Sequence, residues 1–303
     1  MKPALKSRLK MAALAIVGAT PALLVAQTIS VKDDAGTLIR LKQPARAVIT
    51  LAPNLTELAF AAGAGRAVQA VARFSDYPAQ AQALPVVSDA YVLNLEAIAK
   101  AKPDLIFVWL SGTPQRQRDA LKKLGIPVFE SEIQSIEGIA STLQRMGTLM
   151  GTPSTAQAAA QRFVSDWQQL QTSRAERLHR EGGQRLRVFY QVWDKPLMTF
   201  NGQHLVSLAI HTCGGVQGFD TLASLTPTVS REAVLAFNPQ LILSGDEKGL
   251  PMWQTFPQLA ANAKGQLRKA HAELLTRMGP RFVDAARELC AQIDAAQAAN
   301  QRP

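Results

Sequence analysis

The chain has 303 residues, 47% hydrophobic and 18% charged, a balance that excludes a disordered polymer and leaves room for two core-bearing lobes. Its formal net charge of +10 is spread along the chain and not gathered into a basic stripe with interleaved aromatics, so nucleic acid is not an expected partner. Lys2, Lys6, Arg8 and Lys10 supply four of the 33 basic residues, and without them the surplus over the 23 acidic residues falls to six.

Those four cations head an apolar run over 11–26, broken by Gly18, Thr20 and Pro21. This is the layout of a secretory signal peptide, with cleavage near Ala26. The run is short for a membrane span, and an uncleaved N-terminal anchor is the alternative.

Beyond the leader, residues 46–52 read as a short strand rich in β-branched side chains, stopped by Pro53-Asn54. A helix over 56–62 ends at Gly63 and Gly65, and 68–72 is again a strand. Helix 94–101 leads through Pro103 into strand 105–110, and helix 114–124 ends at Gly125 before strand 126–129. Alternating strands and helices with short turns predict a parallel sheet covered on both faces. Thr152-Pro153 then opens a long helix, with Pro at its first position. Ala156, Ala160, Phe163, Trp167, Leu170 and Leu178 recur at threes and fours, and nothing breaks the pattern before Gly182-Gly183. Thirty helical residues span about 45 Å, enough to join two lobes rigidly. A second lobe follows, with strand 187–192, a helix near 204–212, a helix–strand unit over 230–243 and a final helix over 280–297. The fold class is α/β, two Rossmann-like lobes with mostly parallel sheets on one rigid helix. The expected division is leader 1–26, N-terminal lobe 27–151, connecting helix 152–183 and C-terminal lobe 184–303.

The unit at 230–243 repeats an earlier one. N-L-E-A-I-A-K-A-K-P-D-L-I-F (94–107) aligns without a gap on S-R-E-A-V-L-A-F-N-P-Q-L-I-L (230–243). Asn94 and Ser230 are good N-caps, so Glu96 and Glu232 fall in the first helical turn. A carboxylate there complements the helix dipole, worth about 0.3–1 kcal/mol. That local effect accounts for either glutamate alone, but not for a shared cap, glutamate and following strand in both lobes.

The four histidines form no metal-ligand pair, and no metal site is expected. No nucleophile–base pair, phosphate loop or dinucleotide fingerprint supports an enzyme. His204 starts a helix that could face a cleft, but an ordinary satisfied histidine is the simpler reading. Cys213 and Cys290 form an even pair in an exported chain, which suggests a disulfide, with two buried thiols the alternative.

Several segments together resemble the periplasmic cobalamin-binding proteins of bacterial ABC importers, within the wider group that carries cobalamin, ferric siderophores and haem. They are V-I-T-L-A-P-N-L-T-E-L-A-F-A-A-G (48–63), F-S-D-Y-P-A-Q-A-Q-A-L-P-V-V-S-D (74–89), the first repeat, C-G-G (213–215), V-S-R-E-A-V-L (229–235) and G-P-R (279–281). The resemblance covers nearly all of 45–293. It implies a periplasmic, non-enzymatic carrier, monomeric when free, that holds cobalamin between its lobes as cargo and uses no cofactor. It implies that Glu96 and Glu232 dock on the two subunits of an importer permease, and that Cys213 and Cys290 are bonded. For the ligand it implies an aromatic wall at Phe74, a cleft tryptophan at Trp109, and a polar pair at Glu273 and Arg277. The family pattern is broken where tryptophans give way to Ala90, with Tyr91 beside it, and to Thr226; Trp193 is placed to compensate. A ferric siderophore or haem is the alternative ligand. An exported enzyme or a sensor-interacting protein on the same fold is the alternative from another class.

Overall fold

The computed structural model describes residues 28–89 and 92–301. The expected signal peptide, Ala90 and Tyr91 lie outside the described residues. The described chain begins with an antiparallel hairpin, β1 (Ile29–Lys32) and β2 (Leu38–Leu41), which sequence patterning does not announce. The first lobe continues with β3 (Val48–Thr50), α1 (Pro53–Ala61), β4 (Val68–Ala72), β5 (Val86–Ser88), α2 (Leu95–Ala101), β6 (Leu105–Trp109), α3 (Gln115–Lys122), β7 (Val128–Ser131) and α4 (Ile136–Met150). Its five strands lie parallel in the order β5-β4-β3-β6-β7. Apolar β3 and β6 sit centrally, which suits strands buried on both faces.

The connecting helix α5 (Pro153–Arg180) has 28 residues, roughly 42 Å at 1.5 Å per residue. Ala156, Ala160, Phe163, Trp167 and Leu170 are its buried stripe, at the spacing expected from sequence. Leu178 is only half-buried. The N-terminal half of α5 lies against α4 so closely that a Cβ on Gly147 would stand 2.1 Å from that of Ala156. Gly147 therefore sets the approach of the two helices. The C-terminal half of α5 is tied to the second lobe, where Arg174 grips Asp294 at 2.6 and 2.9 Å and donates to the carbonyl of Cys213 at 3.0 Å.

The second lobe contains β8 (Leu186–Gln191), a small hairpin of β9 (Trp193–Asp194) and β10 (Leu197–Met198), α6 (Leu205–Thr212), β11 (Gly215–Val216), α7 (Arg231–Phe237), β12 (Leu241–Ser244), α8 (Pro251–Gln254), α9 (Ala260–Ala263), β13 (Leu267–Lys269), α10 (Ala272–Thr276) and α11 (Phe282–Gln301). Its sheet is parallel, in the order β11-β8-β12-β13. Without β5, the first sheet has the same order: second strand, first strand, the strand of the repeat, last strand. The repeated segments thus occupy equivalent places. Both helices have seven residues, both N-caps accept from the backbone N–H three residues on, and both helices end on a left-handed residue, Lys102 or Asn238.

One apolar core runs through both lobes, from Val48 and Phe107 through Phe163 and Trp167 to Tyr190, Phe282 and Ile293. Because the helix stripe is part of that core, the lobes are joined by packing and not by chain alone. Cys213, at the end of α6, is disulfide-bonded to Cys290 of α11 across 77 residues of sequence. Among the described residues no helix is long and apolar enough to cross a membrane.

Candidate ligand-binding site

In open parallel sheets, ligands bind beyond the carboxyl ends of the strands, where strand order reverses. Here that switch lies between β3 and β6 in the first lobe and between β8 and β12 in the second. The carboxyl ends of β6, β7, β8 and β12 converge on one cavity of about 440 Å³. Trp109 and Glu132 face it from the first lobe; Tyr190, Phe200 and His204 face it from the second. A smaller cavity of about 190 Å³ in the first lobe holds Arg73 and Phe74, and Trp109 lines both.

Trp109 is the last residue of β6 and is 44% exposed, high for a strand whose other four residues are buried. Its ring lies on Gly112, where a Cβ would come within 1.9 Å of the indole. Any larger residue at 112 would push the ring off that seat. Phe74 is 65% exposed and holds φ at +67°, uncommon for a bulky side chain. The Arg73 guanidinium lies 5.3 Å from the centre of its ring.

The second-lobe wall is built as an aromatic row. Tyr190 packs on Phe200 with ring centres 5.3 Å apart, and Phe200 stacks on His204 at 3.7 Å with the rings nearly parallel. His204 is the N-cap of α6, its Nδ1 accepting from the N–H of Val206 at 3.1 Å. Burial pushes its imidazole down to about 4, so the ring is neutral at physiological pH. Tyr190 is 1% exposed, and burial pushes its phenol well above the ordinary tyrosine value. Its hydroxyl is buried with no hydrogen-bond partner among the described residues. Neighbouring Gln191 differs, because both ends of its amide are engaged, by Trp253 at 2.6 Å and by Gly249 at 3.1 Å.

Electrostatically the main cavity has one carboxylate, Glu132, in its wall. No lysine or arginine is among the described residues that line it, and the carboxylate of Glu132 already accepts from Ser111 at 2.8 and 3.0 Å. No group of described residues is disposed to hold a metal ion.

The residues expected from sequence do not all meet at the cavity. Trp109 and Phe74 line the cleft, and Thr226 lines the main cavity where an aromatic was expected. Trp193 is 59% exposed and follows the cavity-lining Val192, with its indole N–H donated to the carbonyl of Lys195 at 2.9 Å. Glu273 and Arg277 are not brought to the cavity wall. The Arg277 side chain is only 13% exposed, and it is claimed by Asp76 at 2.5 Å, Glu57 at 3.3 Å and Glu273 at 3.4 Å. The physical reason is desolvation: a guanidinium taken from water needs carboxylates around it, and the first lobe supplies two. Tyr91 lies outside the described residues. Tyr190 and Phe200 read in sequence as strand and loop residues with no mark of function. The signal for His204 was its place at a helix start, which fits a cap and a cleft residue equally.

Comparison with known proteins agrees with this geometry. Residues 48–266 match the model of the family described as periplasmic binding protein. The chain is 38% identical to a vitamin B12-binding protein of Yersinia pestis over 254 residues, covering 83% of this chain and 87% of that protein. The crystal structure of the periplasmic vitamin B12 binding protein of Vibrio cholerae superposes with a TM-score of 0.74 at 35% identity, covering 84% of this chain and 98% of the other. A periplasmic heme-binding protein from Roseiflexus sp. RS-1 shares the fold, with a TM-score of 0.71 at 20% identity over 83% of this chain and 99% of its own. With its two parallel sheets facing one cleft across a single long helix, this chain belongs to the periplasmic binding protein family.

Proposed function

We propose that this chain captures cobalamin, or a closely related corrinoid, between its lobes and delivers it unaltered to an ABC importer. The observation that carries this reading is the aromatic cavity at the strand ends of both sheets, with no lysine or arginine among its described lining residues. Corrin side chains are mostly uncharged amides, and a wall without lysine or arginine suits them. Haem propionates and the carboxylates of many siderophores call for cations. A corrin is also larger than 440 Å³, so one edge of the ring enters and the rest stays at the mouth, near exposed Phe74 and Trp193. The names of the relatives at 35–38% identity support the same ligand.

Export by the leader at 1–26 places the carrier in the periplasm. The lobes 27–151 and 184–303 act as the two jaws, with the helix over 152–183 as their fixed spine. Exposed Glu96 and Glu232, at equivalent places in the two lobes, fit the two similar basic sockets of a two-fold permease. One observation favours haem or a ferric siderophore instead: Arg73 beside Phe74 gives the smaller cavity a cation. Calorimetric titration of the exported, mature protein with cyanocobalamin, hemin and a ferric siderophore decides between them. Saturable binding of cyanocobalamin alone is the expected result. Binding of either rival without cobalamin overturns the corrinoid reading.

A further inference from the structure

We propose that Tyr190 and His204 are a pair of neutral hydrogen-bond donors that read acceptor oxygens on the bound ligand and so set which ligand the cavity takes. As to ligand class, this rests on the corrinoid reading above.

The argument starts from what each group lacks. A buried tyrosine usually finds a partner for its hydroxyl, because burying that group without one is costly. Tyr190 sits in the cavity wall with its Oη buried and unpartnered among the described residues. The protein therefore carries a cost in the ligand-free state, which a ligand oxygen relieves when the wall shifts enough to admit it to Oη, closed to water in this structure. His204 supplies the second donor by a constraint of tautomer. Its Nδ1 accepts from Val206, so a neutral ring must carry its proton on Nε2. That nitrogen is left as an N–H donor, without a free lone pair for a metal. Phe200, stacked between the two, keeps both rings in one wall. Of the other polar groups in the wall, Gln191 is bonded at both ends and Glu132 is held by Ser111, while Gln134, Gln203 and Thr226 line it from the other sides. Two neutral donors in a wall with no lysine or arginine among its described residues select oxygens that are uncharged, or whose charge is balanced within the ligand, over free carboxylates. In a corrinoid, such oxygens belong to the amide carbonyls of the ring fringe or to the phosphodiester of the nucleotide loop. By the same tautomer argument, His204 does not coordinate cobalt or iron.

Two variants test this in the mature, exported protein. Tyr190→Phe removes the hydroxyl and little else. His204→Asn removes the Nε2 donor and retains a side-chain oxygen that can cap Val206. Each is expected to weaken binding roughly tenfold, the value of one neutral hydrogen bond in a buried site. Dicyanocobinamide keeps the ring amides and lacks the phosphodiester. Equal losses on cyanocobalamin and dicyanocobinamide assign the contact to amide carbonyls, and a loss on cyanocobalamin alone assigns it to the phosphodiester. In the absence of ligand, Tyr190→Phe is expected to raise Tm by roughly 2–4 °C, because it deletes an unsatisfied buried group. The visible spectrum of the bound metal complex is expected to be the same in His204→Asn as in the wild type. Unchanged affinity in both variants, or a Tm that stays level or falls in Tyr190→Phe, overturns the proposal. If the wild type binds hemin and not cobalamin, the corrinoid reading fails separately, and the same two variants titrated with hemin decide the donor role. If it binds neither, the Tm comparison decides.

Discussion

Arg281, at the start of the last helix, donates to both carboxylate oxygens of Glu57 in the first lobe, at 2.5 and 2.9 Å. Its guanidinium also lies over the ring of Tyr77 at 4.0 Å. Arg277 joins the same carboxylate and reaches Asp76. Two second-lobe arginines therefore close on first-lobe acids beside the cleft. Glu57 is 3% exposed, so its charge is tolerated only because both arginines neutralise it. We predict that Glu57→Ala lowers stability by about 3 kcal/mol, since it strands two partly buried cations. Urea unfolding measures this. A midpoint equal to wild type would show that the lobes do not depend on this clasp.

Acid should act on two groups at different pH. The folded His204 ring protonates near pH 4, against 6.5 for an ordinary histidine. Between those values the unfolded state binds more protons, so stability falls as pH drops through this window, by about 3 kcal/mol in total. Above the window the contribution is complete. The hydrogen bond from Arg277 holds the Asp76 carboxyl below its ordinary range, so its contribution is full at neutral pH and is lost only in stronger acid. Denaturant titrations at pH 7 and pH 4.5 should show the loss in wild type and a flatter response in His204→Asn. Equal pH slopes in the two proteins would count against a buried neutral histidine.

The glutamates of the repeat invite a test of docking apart from ligand binding. Both are exposed, and the carboxyl of Glu232 is held below its ordinary value by hydrogen bonds from its own backbone N–H and the Ser230 side chain. The double change Glu96→Ala, Glu232→Ala is expected to slow association with the cognate permease in nanodiscs by roughly tenfold. Ligand affinity should stay within about twofold of wild type, because neither residue lines the cleft. Surface plasmon resonance at two salt concentrations reads the first, and calorimetry the second. Intact association would remove the docking role.

The disulfide closes a loop of 77 residues across the second lobe. In the chain-entropy account, such a closure stabilises by about 4 kcal/mol, and measured values often fall below that. Cys213→Ala with Cys290→Ala should lower Tm by several degrees and leave the cavity residues in place. Thiol counting on unfolded, unreduced protein from the periplasm should find no free thiol.

Much of the architecture was legible residue by residue. Pro153 at a helix start, the 3-4 stripe through Trp167 and the stop at Gly182-Gly183 announce a spine helix, and it runs Pro153–Arg180. Asn94 and Ser230 announce the two capped helices, and the ungapped repeat announces two like lobes, which the matching strand orders bear out. These are local signals: caps, breakers and periodicity act over a few residues, so the order of letters carries them. The hairpin at Ile29–Leu41 and helix Ile136–Met150 went unread; the helix contains Gly138 and Gly147, which blur its local preference while tight packing on α5 requires the second. The cleft depended on more than local signals. Phe74 and Trp109 come together across two strands, while Arg277 is claimed by acids some 200 residues earlier in the chain. Whether a polar side chain meets a ligand or a neighbour depends on which distant groups reach it first. Only the packing of the two sheets across the helix left the Tyr190 hydroxyl without a partner among the described residues and gave Arg277 two distant acids.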